Sequence, residues 1–216
     1  MEQKQEGVLV VLSGFSGSGK GTIVKELLNR RGTSYALSVS ATTRLPRTGE
    51  KDGREYFFKT REEFEKMIEK NELIEYALYV ENYYGTPKAY VKEQLGAGKD
   101  VILEIEIQGA SRVKEKFPDA LLLFVTPPDA PTLKARLKGR GTEDCKTIEA
   151  RLSRAEEEAM YIADYDYLIV NDDLDACVEE VHSIIQNEHQ RVCRKQEFVN
   201  RIKEELKRIS KGEQSV

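Results

Sequence analysis

Three features of this 216-residue sequence predict a three-layer α/β fold built on a mainly parallel sheet. Short apolar runs alternate with stretches of helical periodicity, the rhythm of strand, crossover helix and strand. Several of those runs are apolar at every position, as strands covered on both faces must be. The first run leads through a glycine-rich turn directly into a helix, a junction that parallel sheets use to hold anions.

The elements follow in order. Val8–Leu12 is the first strand, Gly14 to Thr22 the turn, and about Gly21 to Arg31 the helix. A short strand near Tyr35–Val39 precedes a polar loop, Ser40 to Arg54, that carries Pro46 and Gly49. Residues 55 to 98 break the rhythm: Tyr56-Phe57-Phe58, Leu73 to Val80 and Tyr83-Tyr84 are aromatic and alternate in polarity, with a helix from Glu62 to Glu69 among them. That pattern predicts a small mixed insertion with an antiparallel sheet. The core resumes with strands at Val101–Leu103, Leu121–Val125 and Tyr167–Val170, the first two read as fully buried. Helices are expected at Ser111–Lys116, Pro131–Lys138, Thr147–Tyr161 and Asp175 to about Val192, and Gly139–Asp144 reads as a mobile second insertion. From Gln196 to Ile209, Phe198, Ile202, Leu206 and Ile209 share one helix face opposite lysines and arginines. Such a stripe is expected to pack on its own domain; a subunit contact, a membrane surface or nucleic acid are the alternatives.

Length and composition fit one domain with insertions. Charged residues make up 33% and hydrophobic ones 39%, with 34 Lys plus Arg against 38 Asp plus Glu. The slightly acidic balance speaks against a broad nucleic-acid-binding face. The first residues lack the basic start and apolar middle of a signal peptide, and no apolar run reaches membrane-spanning length, so a cytoplasmic protein with no membrane partner is expected. Cys145, Cys177 and Cys193 are odd in number and widely spaced, and are read as free thiols. His182 and His189 have no other ligand-type residue converging on them and are read as ordinary surface or packing residues.

The turn Gly14-Phe15-Ser16-Gly17-Ser18-Gly19-Lys20-Gly21-Thr22 carries the chemistry. Its glycines let successive backbone N–H groups turn onto one oxyanion, the helix start adds a positive dipole end, and Lys20 adds a mobile charge. A nucleotide polyphosphate suits it. The position after the lysine, where a magnesium-reaching Ser or Thr usually stands, is Gly21, and Thr22 comes one place later. A second anion site is suggested by Ser40-Ala41-Thr42-Thr43-Arg44-Leu45-Pro46-Arg47, because guanidinium forks capture phosphate in a bidentate manner. Tyr56 and Tyr84 offer neutral donors beside it.

In sequence order, S-A-T-T-R-L-P-R, D-G-R-E-Y-F-F, L-I-E-Y-A, N-Y-Y-G-T-P, V-I-L-E-I-E-I-Q-G-A, R-G-T-E and I-E-A-R resemble guanylate kinases over about Gly7 to His189. The resemblance implies a phosphate-loop (P-loop) fold with a core of about 7–39, 99–137 and 148–192. A GMP-binding insertion of about 40–98, a lid of about 138–147 and a helical extension of about 193–210 complete it. It implies transfer of the γ-phosphoryl group of ATP to GMP with Mg2+, dGMP use and oligomeric state staying open. On matching positions, Ser40, Arg44, Arg47, Tyr56 and Tyr84 would hold the GMP phosphate. Glu75, Thr86 and Glu106 would read guanine, whose N1–H, N2–H and O6 suit carboxylates and a hydroxyl. Gly14 to Thr22 would hold the ATP phosphates and Asn171, with Asp172 beside it, the adenine end. Lys20, Arg136, Arg140 and Arg151 would stabilise the transferring phosphoryl group. Thr22 and Glu104 would serve magnesium, Glu104 through water from the same strand as Glu106. An AMP-directed kinase and a non-catalytic phosphopeptide-binding module are the alternatives; the latter typically lacks the complete phosphate loop.

Overall fold

The computed structural model describes residues 6–79, 81–139 and 145–211. At its centre, strand β1 (Leu9–Gly14) pairs in parallel with β7 (Asp100–Glu104) on one side and β8 (Leu121–Thr126) on the other. Strands β2 (Tyr35–Leu37) and β9 (Tyr167–Val170) extend the sheet to the all-parallel order β2-β7-β1-β8-β9. Successive side chains of a strand point to opposite faces, so β1 feeds two cores at once. Val10 and Leu12 pack with Ile23, Val24 and Leu27 of α1 (Lys20–Arg31) and with Val178, Val181 and Ile185 of α7 (Leu174–Glu188). On the other face Leu9 and Val11 meet Val91 and Leu95 of α3 (Lys88–Gly96) and Ala110 and Val113 of α4 (Ile107–Lys116). These are the three layers. A further cluster of Phe15, Phe124, Leu133, Leu137 and Ile148 seats α5 (Ala130–Gly139) and α6 (Cys145–Ala159) beside the glycine-rich turn.

The chain leaves this core to build a second sheet from β3 (Ala41–Thr42), β4 (Phe57–Phe58), β5 (Leu73–Tyr79) and β6 (Asn82–Pro87), in the order β4-β3-β6-β5. β6 runs antiparallel to both β3 and β5, whereas β3 and β4 are parallel. Helix α2 (Arg61–Glu69) is fixed at its start by a reciprocal pair: the Thr60 side chain accepts from the Glu63 amide and the Glu63 carboxylate from the Thr60 amide. It delivers Phe64 onto Ala41 and Leu73, where its ring stacks on Tyr83 at 5.1 Å.

Several expectations change. The polar loop Ser40–Arg54 contains β3, whose two residues are buried but too few to show a period. Helix α3 has no counterpart in the sequence reading, because only Val91 and Leu95 mark its buried face. Helix α4 starts at Ile107 rather than Ser111, since Gly109 weakens the helical signal there. Helix α7 ends at Glu188, short of Val192. Strand β9 is the sheet edge, with Ile169 buried and Tyr167, Leu168 and Val170 exposed. The apolar stripe of α8 (Gln196–Ser210) does not pack on the domain: none of its residues is buried. The insertion Gly139–Asp144 lies outside the described residues apart from Gly139.

His182 Nδ1 lies 2.7 Å from the Tyr35 hydroxyl, and His189 Nε2 lies 2.8 Å from Asp100 Oδ1, which also accepts from the Val8 amide. Both histidines therefore serve packing at the sheet end remote from the glycine-rich turn. Cys177 is buried and Cys193 exposed, both free, while the Cys145 side chain lies outside the described residues. No helix among the described residues is long and apolar enough to cross a membrane.

Candidate active site

The turn after β1 is shaped by three glycines in left-handed backbone, Gly14, Gly17 and Gly19, at φ of 144°, 89° and 95°. At Gly19 a side chain would also collide with the Asn171 amide. Gly19 caps α1, so the free amides of the first helical turn open onto the loop. Lys20 Nζ folds back to donate to the carbonyls of Gly14 at 2.6 Å and Phe15 at 3.1 Å, which keeps its charge at the loop mouth. The Ser18 hydroxyl is buried in the loop with no hydrogen-bond partner among the described residues.

Asn171, expected at the adenine end of a nucleotide, is buried behind the loop. Its Nδ2 donates to the Ser18 carbonyl at 2.8 Å, and its own carbonyl accepts from Arg136 Nη2 at 2.8 Å. Its side chain is thus committed to the phosphate loop. Arg136 also approaches the Ser18 carbonyl at 3.4 Å, and Arg151 on α6 donates to Ser16 Oγ at 2.6 Å. Both arginines therefore border the loop. Arg140 lies outside the described residues.

Gly21 points its missing side chain at Glu104: a Cβ there would stand 3.5 Å from Glu104 Oε1. The carboxylate thus borders the place where a phosphate-loop hydroxyl ordinarily stands, while Thr22, one residue on, is solvent-exposed. Glu104 is reached by solvent yet sits low in the cleft; partial burial raises its pKa, Lys20 opposes the rise and Glu106 adds to it. Glu106 is not on the strand with Glu104, as expected, because β7 ends at Glu104 and Glu106 is the N-cap residue of α4. Its Oε2 accepts from Arg154 Nη2 at 2.9 Å, and Arg154 Nε binds Glu158 at 3.0 Å. No cluster of three His, Cys, Asp or Glu side chains able to hold a metal occurs among the described residues. A lone carboxylate beside a phosphate cradle suits Mg2+, which usually takes one or two protein carboxylates together with substrate phosphates and water.

The insertion supplies the other wall. Arg44 pairs with Glu50 at 2.9 Å and lies over the Tyr56 ring at 5.3 Å from its centroid. Glu50 also accepts from the Arg47 amide at 2.7 Å, folding the loop around Pro46 so that both arginines leave from one turn. The Tyr56 and Tyr84 rings meet edge to face at 6.0 Å, and burial pushes the Tyr56 hydroxyl pKa up. Ser40 is half-buried at the start of β3, where its carbonyl accepts from the Phe57 amide at 2.8 Å. Deeper in, the fully buried Thr86 hydroxyl donates to Glu75 Oε1 at 2.7 Å. Burial raises the Glu75 pKa, and the Thr86 hydrogen bond, Arg112 and Lys116 oppose the rise. Glu75 Oε2 lies 3.3 Å from where a Gly109 side chain would begin, so α4 brings its barest residue to the carboxylate.

These contacts connect in series: the loop meets Glu104 across Gly21, Glu106 is the N-cap residue of α4, and Gly109 brings α4 to Glu75 with Thr86. Sequence reasoning missed Glu50, Gly109 and Arg154. Glu50 and Arg154 are ordinary surface types in sequence, and only the bulk-free approach at Gly109 leaves a trace, as a glycine inside a helix.

The family model described as guanylate kinase matches residues 6–188. The chain is 52% identical to a guanylate kinase of Clostridioides difficile over 203 residues, covering 94% of this chain and 98% of that one. It is 51% identical to a guanylate kinase of Enterococcus faecalis over 190 residues, covering 88% and 93%. A crystal structure of guanylate kinase from Anaplasma phagocytophilum superposes with a TM-score of 0.70 at 32% identity, covering 89% of this chain and 91% of that one. A phosphate loop facing a carboxylate–hydroxyl pair on an inserted sheet, and likeness over nearly the whole length, lead to one conclusion: the chain belongs to the guanylate kinase family.

Proposed function

We propose that this chain transfers the γ-phosphoryl group of ATP to GMP, giving ADP and GDP. The observation that carries the reading is the buried Glu75–Thr86 pair on the inserted sheet, opposite a complete phosphate loop. A carboxylate accepts the N1–H and N2–H of guanine, and a hydroxyl donates to O6; adenine offers neither pattern. In the free chain the Thr86 proton is committed to Glu75. On binding, the hydroxyl turns to O6 and the carboxylate takes base N–H groups in exchange, so neither buried polar group is left unpaired.

The remaining groups divide by the charge they meet. The backbone amides of Gly14 to Gly19, the Ser18 hydroxyl and Lys20 hold the ATP phosphates, Lys20 exchanging its two carbonyl partners for phosphate oxygens. Arg44, Arg47, Tyr56, Tyr84 and Ser40 hold the GMP phosphate. Arg136 and Arg151, already on the loop, meet charge spreading over the equatorial oxygens, with Arg140 from the lid. Bound with ATP, Mg2+ would supply neutralisation of phosphate charge; Glu104 beside Gly21 would hold it through water, and Thr22, one residue on, would stand nearby. The attacking group is a phosphate oxygen of GMP itself, so positioning and electrostatics supply the catalysis.

A coupled assay of ADP release with GMP, dGMP, AMP and no acceptor tests this. Rapid turnover with GMP and little with AMP or without an acceptor is expected. Preference for AMP would replace the reading with its nearest rival, and silence with every nucleotide would point to a binding module.

A further inference from the structure

We infer that Arg112 and Lys116 of α4 are positioning residues for base recognition: by taking the main-chain carbonyls on either side of Glu75, they hold the bulge in β5 that aims its carboxylate at Thr86. The inference rests on the proposed reading of Glu75.

The bulge is visible in the register. Leu73 pairs with Pro87 and Tyr76 with Gly85, so Ile74 and Glu75 together stand opposite the single residue Thr86. An extra residue of that kind bends a strand and re-aims the side chains beside it. In a regular strand Ile74 and Glu75 would face opposite sides. Here both turn toward α4: Ile74 is fully buried in the core layer that contains Ala110 and Val113, and Glu75 Oε2 lies 3.3 Å from where a Gly109 side chain would begin. A slip of one residue would carry the carboxylate away from Thr86, so recognition of one base edge requires the bulge to stay where it is.

Strand β5 is an edge of the inserted sheet, and an edge leaves carbonyls without a strand partner. Helix α4 supplies the donors. Lys116 Nζ donates to the Ile74 carbonyl at 2.7 Å, and Arg112 Nη1 donates to the Tyr76 carbonyl. At about 100° per residue Gly109, Arg112 and Lys116 share one face of the helix. The residue without a side chain thus meets the carboxylate, and the two cations meet the backbone that brackets it. Because both hydrogen bonds go to main chain, the two residues act on the base through Glu75. Their charges act on it as well. The groups that face its carboxyl are Thr86 from β6 and Arg112 and Lys116 from α4; burial raises the pKa, and all three oppose the rise.

Kinetics with GMP and with AMP across pH, on wild type, Arg112→Met, Lys116→Met, Arg112→Lys and Lys116→Arg, test the inference. Each methionine variant should lose about twofold to tenfold in kcat/KM for GMP, the worth of one hydrogen bond, through KM with kcat at saturating GMP little changed. The value for AMP should stay as it is. The acidic limb of the GMP profile should move to higher pH, because a cation that favours the ionised carboxylate is gone. Arg112→Lys and Lys116→Arg keep donor and charge and should behave as wild type. In the free chain, the Glu75 carboxyl followed by carbon-13 NMR should titrate at higher pH in both methionine variants, a readout that needs no nucleotide. Where wild type prefers GMP, equal losses for GMP and AMP, or methionine variants that match wild type in acidic limb and Glu75 titration, overturn the inference and leave the proposed function standing. A wild type without preference for GMP refutes the proposed reading of Glu75, and the inference with it.

Discussion

The two walls of the cleft are made of different material. The donor side is chiefly backbone: three glycines with positive φ, a helix start, and a lysine resting on main-chain carbonyls. The acceptor side is chiefly side chain: Glu75 with Thr86, Arg44 with Glu50, and Tyr56 with Tyr84, gathered from the inserted strands and their loops. Backbone amides recognise charge that every nucleotide carries, whereas a carboxylate and a hydroxyl recognise the edge of one base. Substitutions on the donor side should therefore lower turnover for any acceptor. Those on the acceptor side should change which acceptor is used.

Lys20→Ala should break the donor wall most severely. It removes the loop's own lysine charge while leaving the buried cores intact, so turnover should fall at least about a hundredfold with an unchanged thermal midpoint. Turnover within tenfold of wild type at saturating ATP would refute the donor role. Glu75→Gln should cut kcat/KM for GMP by about tenfold to a hundredfold, the worth of a buried charged hydrogen bond, while changing the value for AMP little. Equal losses for both acceptors would remove Glu75 from base reading.

Smaller changes sharpen the contrast. Thr86→Val deletes the hydrogen bond that lowers the Glu75 pKa, so burial should hold that pKa still higher. In the proposed reading GMP binding needs the ionised carboxylate, and a higher pKa means protonation begins sooner as pH falls. The acidic limb of the kcat/KM profile for GMP should thus move to higher pH; a limb that stays in place or moves down contradicts the pairing. Arg154→Ala tests the exposed ion pair that occupies Glu106 in the free chain. Such pairs are worth at most about 1 kcal/mol, so KM for GMP should fall by no more than about fivefold as Glu106 becomes available. A rise would mean that Arg154 presents the carboxylate rather than competes for it.

The same division explains how much the sequence discloses. Continuous backbone needs adjacent residues, so the donor wall is written in one stretch, Gly14 to Thr22, and the parallel strands that frame it are short apolar runs. The acceptor wall is legible from its own residues only at Ser40 to Arg47 and the nearby tyrosines; Glu75, Thr86 and Glu106 are legible only through resemblance, because they stand on separate elements. What escapes does so for local reasons. Two-residue β3 is too short for a period, Gly109 hides the first turn of α4 while making room for Glu75, and the strand end at Glu104 separates two carboxylates that spacing alone would join. The bond from Asn171 to the Ser18 carbonyl escapes too, because an amide at the end of an edge strand carries no sign of which backbone it will reach.

Strand β1, with one face in each core layer, also sets an order of opening. Its amides sit between β7 and β8 in the middle of the sheet, and exposing them requires both layers to come apart. The inserted sheet rests on a small cluster around Ala41, Phe64 and Leu73, and joins the core layer of α3 and α4 through Ile74 of β5. In native-state hydrogen exchange, amides of β5 and β6 should exchange through a sub-global opening, while those of β1 and β8 exchange only through global unfolding. On that expectation the inserted sheet opens ahead of the central strands, and GMP should slow exchange in the inserted sheet far more than in the central strands.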